Sequence, residues 1–244
     1  MFNKLKYDIV IPVLNEQRRL ENGVITLYQF LKNNHIHNCK IIIADNGSTD
    51  KTPEISVQLA EKHPEIQYIS LKNKGVGLAL KTAWAQSEAD VIGYMDVDLA
   101  TDLKHMTQVI SLFEEHKNII INGSRNLPTS HVVNRKWTRR VTSWGFNKLL
   151  QLLLNVHFSD GMCGFKFISR EYFKTISQYG LTNDGWFFCT ELLYVGEKLN
   201  LSLIEIPVNW QDDGDSRVKI ISLSLYYLKE ILRLRYSSIG EKII

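Results

Sequence analysis

The run Tyr94-Met95-Asp96-Val97-Asp98 sets two aspartates one residue apart, directly after the apolar stretch Val91-Ile92-Gly93-Tyr94-Met95. A strand that carries Asp-x-Asp at its carboxyl end places two hard oxygen ligands at one crevice. Such a pair suits Mg²⁺ or Mn²⁺ bound to a substrate diphosphate. Asp-x-Asp is common in surface loops, so its weight comes from its position. Other polar residues follow strand ends in the same manner: Asn15, Asp45, Asn73 and Arg125. Asp50 is placed to cap the second helix, which leaves the Asp45 carboxylate for a base N–H or a ribose hydroxyl; the plainer reading of Asp45 is an Asx turn. Arg125, Arg139 and Arg140 gather on the C-terminal side of the aspartates. Guanidinium forks fit phosphate oxygens, although a lone surface arginine is usually only a solvated charge.

The elements that must position these residues alternate. Apolar, β-branched runs predict strands over Tyr7–Val13, Lys40–Ala44, Ile66–Leu71, Val91–Met95 and Asn118–Asn122. Helical spacing fills the gaps at Glu16–Asn33, after Asp50 and Pro53, at Lys74–Gln86 and at Leu103–His116. That order predicts an α/β fold, with a mostly parallel central sheet and helices on both faces. Ligands in such sheets bind outside the carboxyl ends of the strands, where the polar residues can converge. Beyond Gly123 the pattern predicts a long helix over 136–156, a Gly-rich turn at Asp160–Phe165 with a short strand, and a helix over Phe187–Leu199. A strand over Leu203–Trp210 interrupted by Pro207 and an amphipathic helix over Lys219–Tyr236 complete it. One domain over residues 1–217 and a C-terminal amphipathic helix and tail over 218–244 are expected.

Of the 244 residues, 44% are apolar and 23% charged, and the net charge of +3 gives no case for a nucleic-acid partner. Cys39, Cys163 and Cys189 form no Cys-x-x-Cys pair, so zinc and redox roles lack support. Their odd number, with no export-type apolar core near the N-terminus, predicts a reducing cytoplasm. No run reaches the roughly 18 apolar residues of a membrane span. Two segments are amphipathic. Trp137, Trp144, Phe146, Leu149, Leu150, Leu153 and Leu154 run beside Arg135, Lys136, Arg139, Arg140 and Lys148. Ile221, Leu225, Leu228 and Leu232 are flanked by Lys219, Lys229, Arg233 and Arg235. Either helix suits core packing or an anionic membrane surface. Gly75-Val76-Gly77 opens a helix, but Leu80 replaces the third glycine of a dinucleotide fingerprint. The histidines show neither metal spacing nor a serine-hydrolase order.

Taken in order, Ile11-Pro12-Val13-Leu14-Asn15-Glu16, Asp45-Asn46-Gly47-Ser48-Thr49-Asp50, Asn73-Lys74-Gly75-Val76-Gly77, Met95-Asp96-Val97-Asp98 and Gly123-Ser124-Arg125 resemble the family 2 glycosyltransferases of GT-A fold. Asp160 to Lys166 resembles the Asp-x-x-x-Gly-Phe-Lys segment of polyprenyl-phosphate sugar synthases. The segment Trp186–Tyr194 and Ile206-Pro207-Val208-Asn209-Trp210 look most like the dolichyl-phosphate β-glucosyltransferase branch, with dolichyl-phosphate mannose synthases close by. The resemblance implies a nucleotide-sugar donor, with UDP-glucose favoured and GDP-mannose an alternative, and an inverting transfer to a polyprenyl phosphate. By that analogy Pro12, Asn15, Glu16 and Lys74 line the donor pocket, and Asp45 meets the base. Asp96 and Asp98 hold the ribose region and Mg²⁺ or Mn²⁺. Arg125 and one of Arg139 or Arg140 meet phosphates, Asp160 orients an arginine or the sugar, and Ser216-Arg217 stands near the acceptor phosphate. Two departures follow. Ala100 replaces a glutamine ligand of mannose synthases, so Asp102 is a candidate substitute. Val76 replaces a lysine between the glycines.

A phosphate monoester is largely ionised near neutrality and needs cations to gather it, whereas a hydroxyl acceptor needs a general base. Hydroxyl-using relatives place a Glu-Asp pair before the acceptor helix. No Glu-Asp dipeptide occurs here, although Asp184 and Glu191 remain candidate bases. Transfer to a hydroxyl of a glycan or soluble acceptor is therefore the alternative reaction. A silent nucleotide-sugar scaffold is disfavoured by Asp96, Asp98 and Arg125. A nucleotidyltransferase is disfavoured because Pro12–Glu16 is not a Gly-rich phosphate loop. The expected location is cytoplasmic, peripheral at the cytosolic face of a membrane, reached directly or through a membrane-protein partner.

Overall fold

The computed structural model describes residues 5–212 and 220–237. Its elements follow the order β1 (Tyr7–Val13), α1 (Leu20–Asn33), β2 (Cys39–Asp45), α2 (Thr52–Lys62), β3 (Ile66–Ser70), α3 (Val76–Gln86), β4 (Val91–Met95), α4 (His105–Glu115), β5 (Ile120–Ser124), β6 (His131–Val133), α5 (Trp137–Leu154), β7 (Phe165–Ser169), α6 (Arg170–Ser177), α7 (Phe188–Lys198), β8 (Leu203–Pro207), β9 (Asn209–Gln211) and α8 (Ile220–Arg235). A seven-stranded sheet runs β3-β2-β1-β4-β7-β5-β8, and β6 and β9 form a small parallel pair. The expected α/β fold is present.

The sheet is covered on both faces because its strands alternate side chains between two cores. Tyr7, Ile9, Ile11 and Val13 of β1 point to the side packed by α1, α2 and α4. Val10 joins the opposite core with α3, α5, α7 and the Tyr227, Ile231 and Leu234 side chains of α8. A strand buried on both faces reads as a continuous apolar run, which explains why β1, β2 and β4 were legible. The three cysteines are buried and unpaired.

Three features differ from expectation. β7 runs antiparallel between β4 and β5, with Met95 opposite Phe165 and Asn122 opposite Lys166. The single strand expected over Leu203–Trp210 is two, β8 in the main sheet and β9 paired with β6. The break falls at Pro207-Val208, since proline donates no ladder hydrogen bond. The third feature is α6, an eight-residue helix started by Ser169, whose Oγ accepts from the Tyr172 amide at 3.4 Å.

The site lies where the strand order reverses. β1 feeds β2 on one side and neighbours β4 on the other, so the loops after β1 and β4 diverge and leave a crevice. Residues following β2, β5 and β9 border it.

Candidate active site

The floor of the crevice is the loop after β1. Asn15 adopts a left-handed backbone, φ 57°. Its amide donates to Ser48 Oγ at 2.8 Å, and its Oδ1 accepts from the Thr49 amide at 2.8 Å. Glu16 is held by Arg19 through two contacts of 2.9 Å, and its amide donates to Thr52 Oγ1. A cleft of about 370 Å³ opens here, lined by Asn15, Glu16, Arg19, Thr49 and Asp50 among others. Pro12 is buried within β1 opposite Ala44, so it supports this loop from beneath and does not line it. Asp45 is corrected in part: its carboxylate is not left without local bonds. Oδ1 accepts from the Ser48 amide at 2.9 Å, the Asx-turn bond, and Oδ2 accepts from the Tyr68 hydroxyl at 3.2 Å. Asp50 does tie the start of α2, accepting from the Thr52 amide at 2.9 Å. Lys74 is exposed beside Gly75, whose amide donates to Asn46 Oδ1 at 3.1 Å.

The opposite wall carries Asp96, half-buried, and Asp98, exposed. Asp98 Oδ1 accepts from the Ala100 amide at 3.1 Å, and the Leu99 amide returns to the Asp96 carbonyl at 3.0 Å. Burial and the neighbouring Asp98 charge push the Asp96 carboxyl up to about 7, against the pull of Arg125, Lys166 and Arg19. The turn before β7 presses on Asp96: a Cβ on Gly164 would lie 1.8 Å from its Oδ2. Asp102 does not join them. Its Oδ1 accepts from the Lys104 amide at 3.0 Å and so caps the turn into α4. Among the described residues no group of three or more His, Cys, Asp or Glu is arranged to hold a metal. Two adjacent carboxylates, one reluctant to ionise beside the other, are a donor set that a hard dication relieves. Diphosphate oxygens and water would complete its coordination.

The third wall is cationic. Arg125 Nε and Nη2 donate to Asp160 at 2.7 and 2.9 Å, and the Arg125 amide donates to Asp160 Oδ2 at 3.1 Å. Asp160 is fully buried and the Arg125 side chain nearly so. Burial opposes the Asp160 charge, but Arg125 wins and holds the carboxyl down at about 2. The Asp160 loop is bolted to the sheet: Asn122 donates to the Asp160 carbonyl at 2.9 Å, and Glu205 accepts from the Ser159 amide at 2.8 Å. Asp160 therefore orients an arginine, one of its two expected roles. Arg125 and Arg135 lie 5.4 and 5.6 Å from the Trp210 ring centroid. Arg139 pairs with Asp212, whereas Arg140 is exposed. Of the two candidates, Arg139 is the one turned toward the cluster. Ser216 and Arg217 lie outside the described residues.

The candidate bases are both tied. Glu191 is fully buried and accepts from Arg233 at 2.6 Å and from the Asn183 amide at 2.9 Å. Asp184 pairs with Lys81 at 2.6 Å. Sequence reasoning gave no role to Arg19, Lys166, Arg135 or Trp210. Lys166 is buried, with Nζ donating to the Cys163 carbonyl at 2.6 Å. Its place in the Gly-Phe-Lys run was the available signal; Arg135 was counted only as one charge in a basic segment.

A family model described as Glycosyl transferase family 2 matches residues 8–177. Glycosyltransferase AglD of Haloferax volcanii is 33% identical over 234 residues, covering 94% of this chain and 37% of that protein. Dolichyl-phosphate beta-glucosyltransferase of Dictyostelium discoideum is 31% identical over 240 residues, covering 93% of this chain and 73% of that protein. The chain thus spans little more than a third of the first relative and about three quarters of the second. Glucosyl-3-phosphoglycerate synthase from Mycobacterium tuberculosis, solved with UDP, superposes with a TM-score of 0.67 at 18% identity, over 97% of this chain and 81% of that one. This likeness shows the GT-A fold. With the model match covering most of the chain, the protein belongs to glycosyltransferase family 2 and is a glycosyltransferase.

Proposed function

We propose that this chain transfers a hexosyl group, glucose first among candidates, from a nucleoside diphosphate to a polyprenyl phosphate with inversion. The observation that carries the acceptor class is the state of the carboxylates around the crevice. Asp160 is committed to Arg125, Asp212 to Arg139, Glu191 to Arg233 and Asp184 to Lys81. Each of the four is engaged in an ion pair, while guanidinium groups line the same side of the crevice for an anion. The name of the Dictyostelium relative supports the same acceptor, and neighbouring structures solved with UDP-glucose and Mn²⁺ support the donor and metal.

In this reading the Asn15–Glu16 loop and Asp45 receive the nucleoside, with Lys74 at the rim. Asp96 and Asp98 would hold Mg²⁺ or Mn²⁺, which would neutralise charge on the departing nucleotide. Arg125, fixed in direction by Asp160, faces the charge that grows on the leaving oxygen and cannot swing away. Arg139 and Ser216-Arg217 are assigned to the acceptor phosphate, which attacks the anomeric carbon from the opposite face.

Among the described residues no helix is long and apolar enough to cross a membrane. We assign contact with the cytosolic face of a membrane to the exposed faces of α5 and α8, directly or beside a membrane-protein partner. Residues 1–217 form the transferase unit, and 218–244 serve as its surface helix and tail. The test is transfer of labelled glucose from UDP-glucose, with Mn²⁺, into polyprenyl phosphate in detergent. Label in the lipid fraction is expected. Transfer only to a free glycan hydroxyl, or consumption of GDP-mannose alone, overturns the proposal.

A further inference from the structure

We infer that Arg135 is a ligand for a phosphate monoester, gripping it from the Trp210 ring at the start of α5. The inference rests on the phosphate-acceptor reading above and names a residue that reading does not use. β6 places Arg135. Val133 pairs with Gln211 of β9, and the Asp212 amide donates to the Val133 carbonyl at 3.2 Å, so the chain leaves β6 beside Trp210. Arg135 then lies over the same ring as Arg125. β9 is also tied to the Asp-x-Asp loop, since the Gln211 amide donates to the Ala100 carbonyl at 2.8 Å. Arg135 therefore occupies a shell just outside Arg125, next to the crevice and not in the nucleoside cleft.

Among the described residues, the three arginines around Trp210 outnumber the carboxylates paired with them. Arg125 has Asp160 and Arg139 has Asp212. Arg135 has no carboxylate against it among the described residues, and its Nε is buried with no hydrogen-bond partner. A buried donor in that state calls for an acceptor. Burial and the flanking Arg125 and Arg139 pull the Arg135 guanidinium down to about 10, so it stays charged near neutrality. The adjacent start of α5 adds to the pull on an anion, because the Lys136 side chain makes no capping bond there. A tetrahedral dianion accepts from a guanidinium fork and from helix amides at once.

The experiment compares the full chain with Arg135→Gln and Arg135→Lys, with Mn²⁺ and UDP-glucose. Two acceptors are used, a short-chain polyprenyl phosphate and glycerol phosphate, and calorimetry measures each phosphate monoester without donor. Arg135→Gln is expected to raise the acceptor KM and Kd by roughly 10- to 100-fold, with Arg135→Lys intermediate. The UDP-glucose Kd should change by less than about twofold, which separates a ligand from a merely structural arginine. An unchanged acceptor KM in Arg135→Gln, with the parent active on polyprenyl phosphate, overturns the inference and leaves the proposed function standing. A parent that transfers only to hydroxyls but loses phosphate binding in Arg135→Gln does the reverse. A parent that binds neither monoester overturns both. Response to the lipid alone, or to both acceptors equally, identifies which source of the phosphate the site accepts.

Discussion

Asp96 is built to be uncomfortable. Its carboxyl is raised to about 7, chiefly by burial and then by Asp98, while an unfolded aspartate titrates near 4. The folded chain therefore binds that proton more tightly than the unfolded chain does. Stability falls as pH rises from about 4 to about 7, and the full cost is present above that. In metal-free protein Asp96→Asn should melt higher than the parent at pH 8, by roughly 2–4 °C for each kcal/mol relieved, and the gain should vanish toward pH 4. Equal melting throughout would show that Asp96 carries no such cost. The same substitution should abolish Mn²⁺-dependent transfer, and in the parent the apparent Mn²⁺ affinity should drop about tenfold per pH unit below 7, because the ion must displace the proton. Asp160 has the opposite sign. Its carboxyl sits at about 2, so the stability it lends Arg125 is complete above about 4 and is lost as pH falls through 2. Asp160→Asn leaves a buried guanidinium without its counter-charge, an expected loss of about 3–5 kcal/mol in denaturant unfolding. Adding Arg125→Met to that variant should recover much of the loss, and no recovery would mean the pair is not what the loop depends on.

At the scale of elements, β7 explains how the chain reaches Asp96 from two directions. Its turn brings Gly164 against the carboxylate, with the Asp96 amide pointing at the Gly164 carbonyl at 3.4 Å. Gly164→Ala must move the tip of β4 or the turn. Mn²⁺ affinity and kcat should fall at least about tenfold while binding of the free nucleoside in the Asn15 cleft survives, since a displacement near 1 Å is enough to disrupt such a site. Simultaneous loss of nucleoside binding would instead indicate general unfolding. The direction of β7 could not be read from Phe165–Ser169, because a five-residue buried strand has the same apolar pattern either way. β1 to β5 could be read, since each is a buried apolar run ending at a polar residue and is separated from the next by helical spacing. The site divides likewise. Asp96, Asp98 and Arg125 were legible because charged side chains set directly after buried strands contribute little to packing and face the ligand crevice of such a sheet. The partners that decide Asp45, Glu191 and Asp184 were not, because Tyr68, Arg233 and Lys81 meet them only through packing of distant elements. Arg135 owes its setting to β6, a three-residue strand too short to carry a pattern.

At the scale of the molecule, α5 and α8 turn one side into the core and leave the other bare. The Phe146 and Tyr227 rings meet across the two helices, tilted, with centroids 5.0 Å apart, and Arg235 donates to the Leu153 carbonyl at 3.0 Å. The apolar face expected of α5 is thus divided: Leu150 and Leu154 are buried, while Trp137, Val141, Trp144 and Leu152 are exposed at helical spacing. On α8 the exposed stripe is Leu225, Leu228 and Leu232, followed by Tyr236 just past the helix, with Lys229 beside it. Two neighbouring apolar stripes with basic flanks fit an anionic bilayer surface better than bulk water. They are also mechanically joined to the donor side. Arg233 grips Glu191, Glu191 accepts from the Asn183 amide, and the Asp184 carbonyl accepts from the Leu78 amide of α3 at 3.0 Å. Trp144→Glu and Leu228→Glu each remove apolar area and add a repelled charge, so binding to vesicles containing anionic lipid should weaken by roughly tenfold apiece. Melting temperature should stay within about 2 °C, since surface substitutions change stability little. Raising the salt should weaken the parent further, by screening its basic flank. The separating readout is activity: each variant should lose transfer to polyprenyl phosphate in vesicles yet keep it for a short-chain acceptor in detergent. Loss in both settings would place these side chains in the folding of the crevice and not at a membrane.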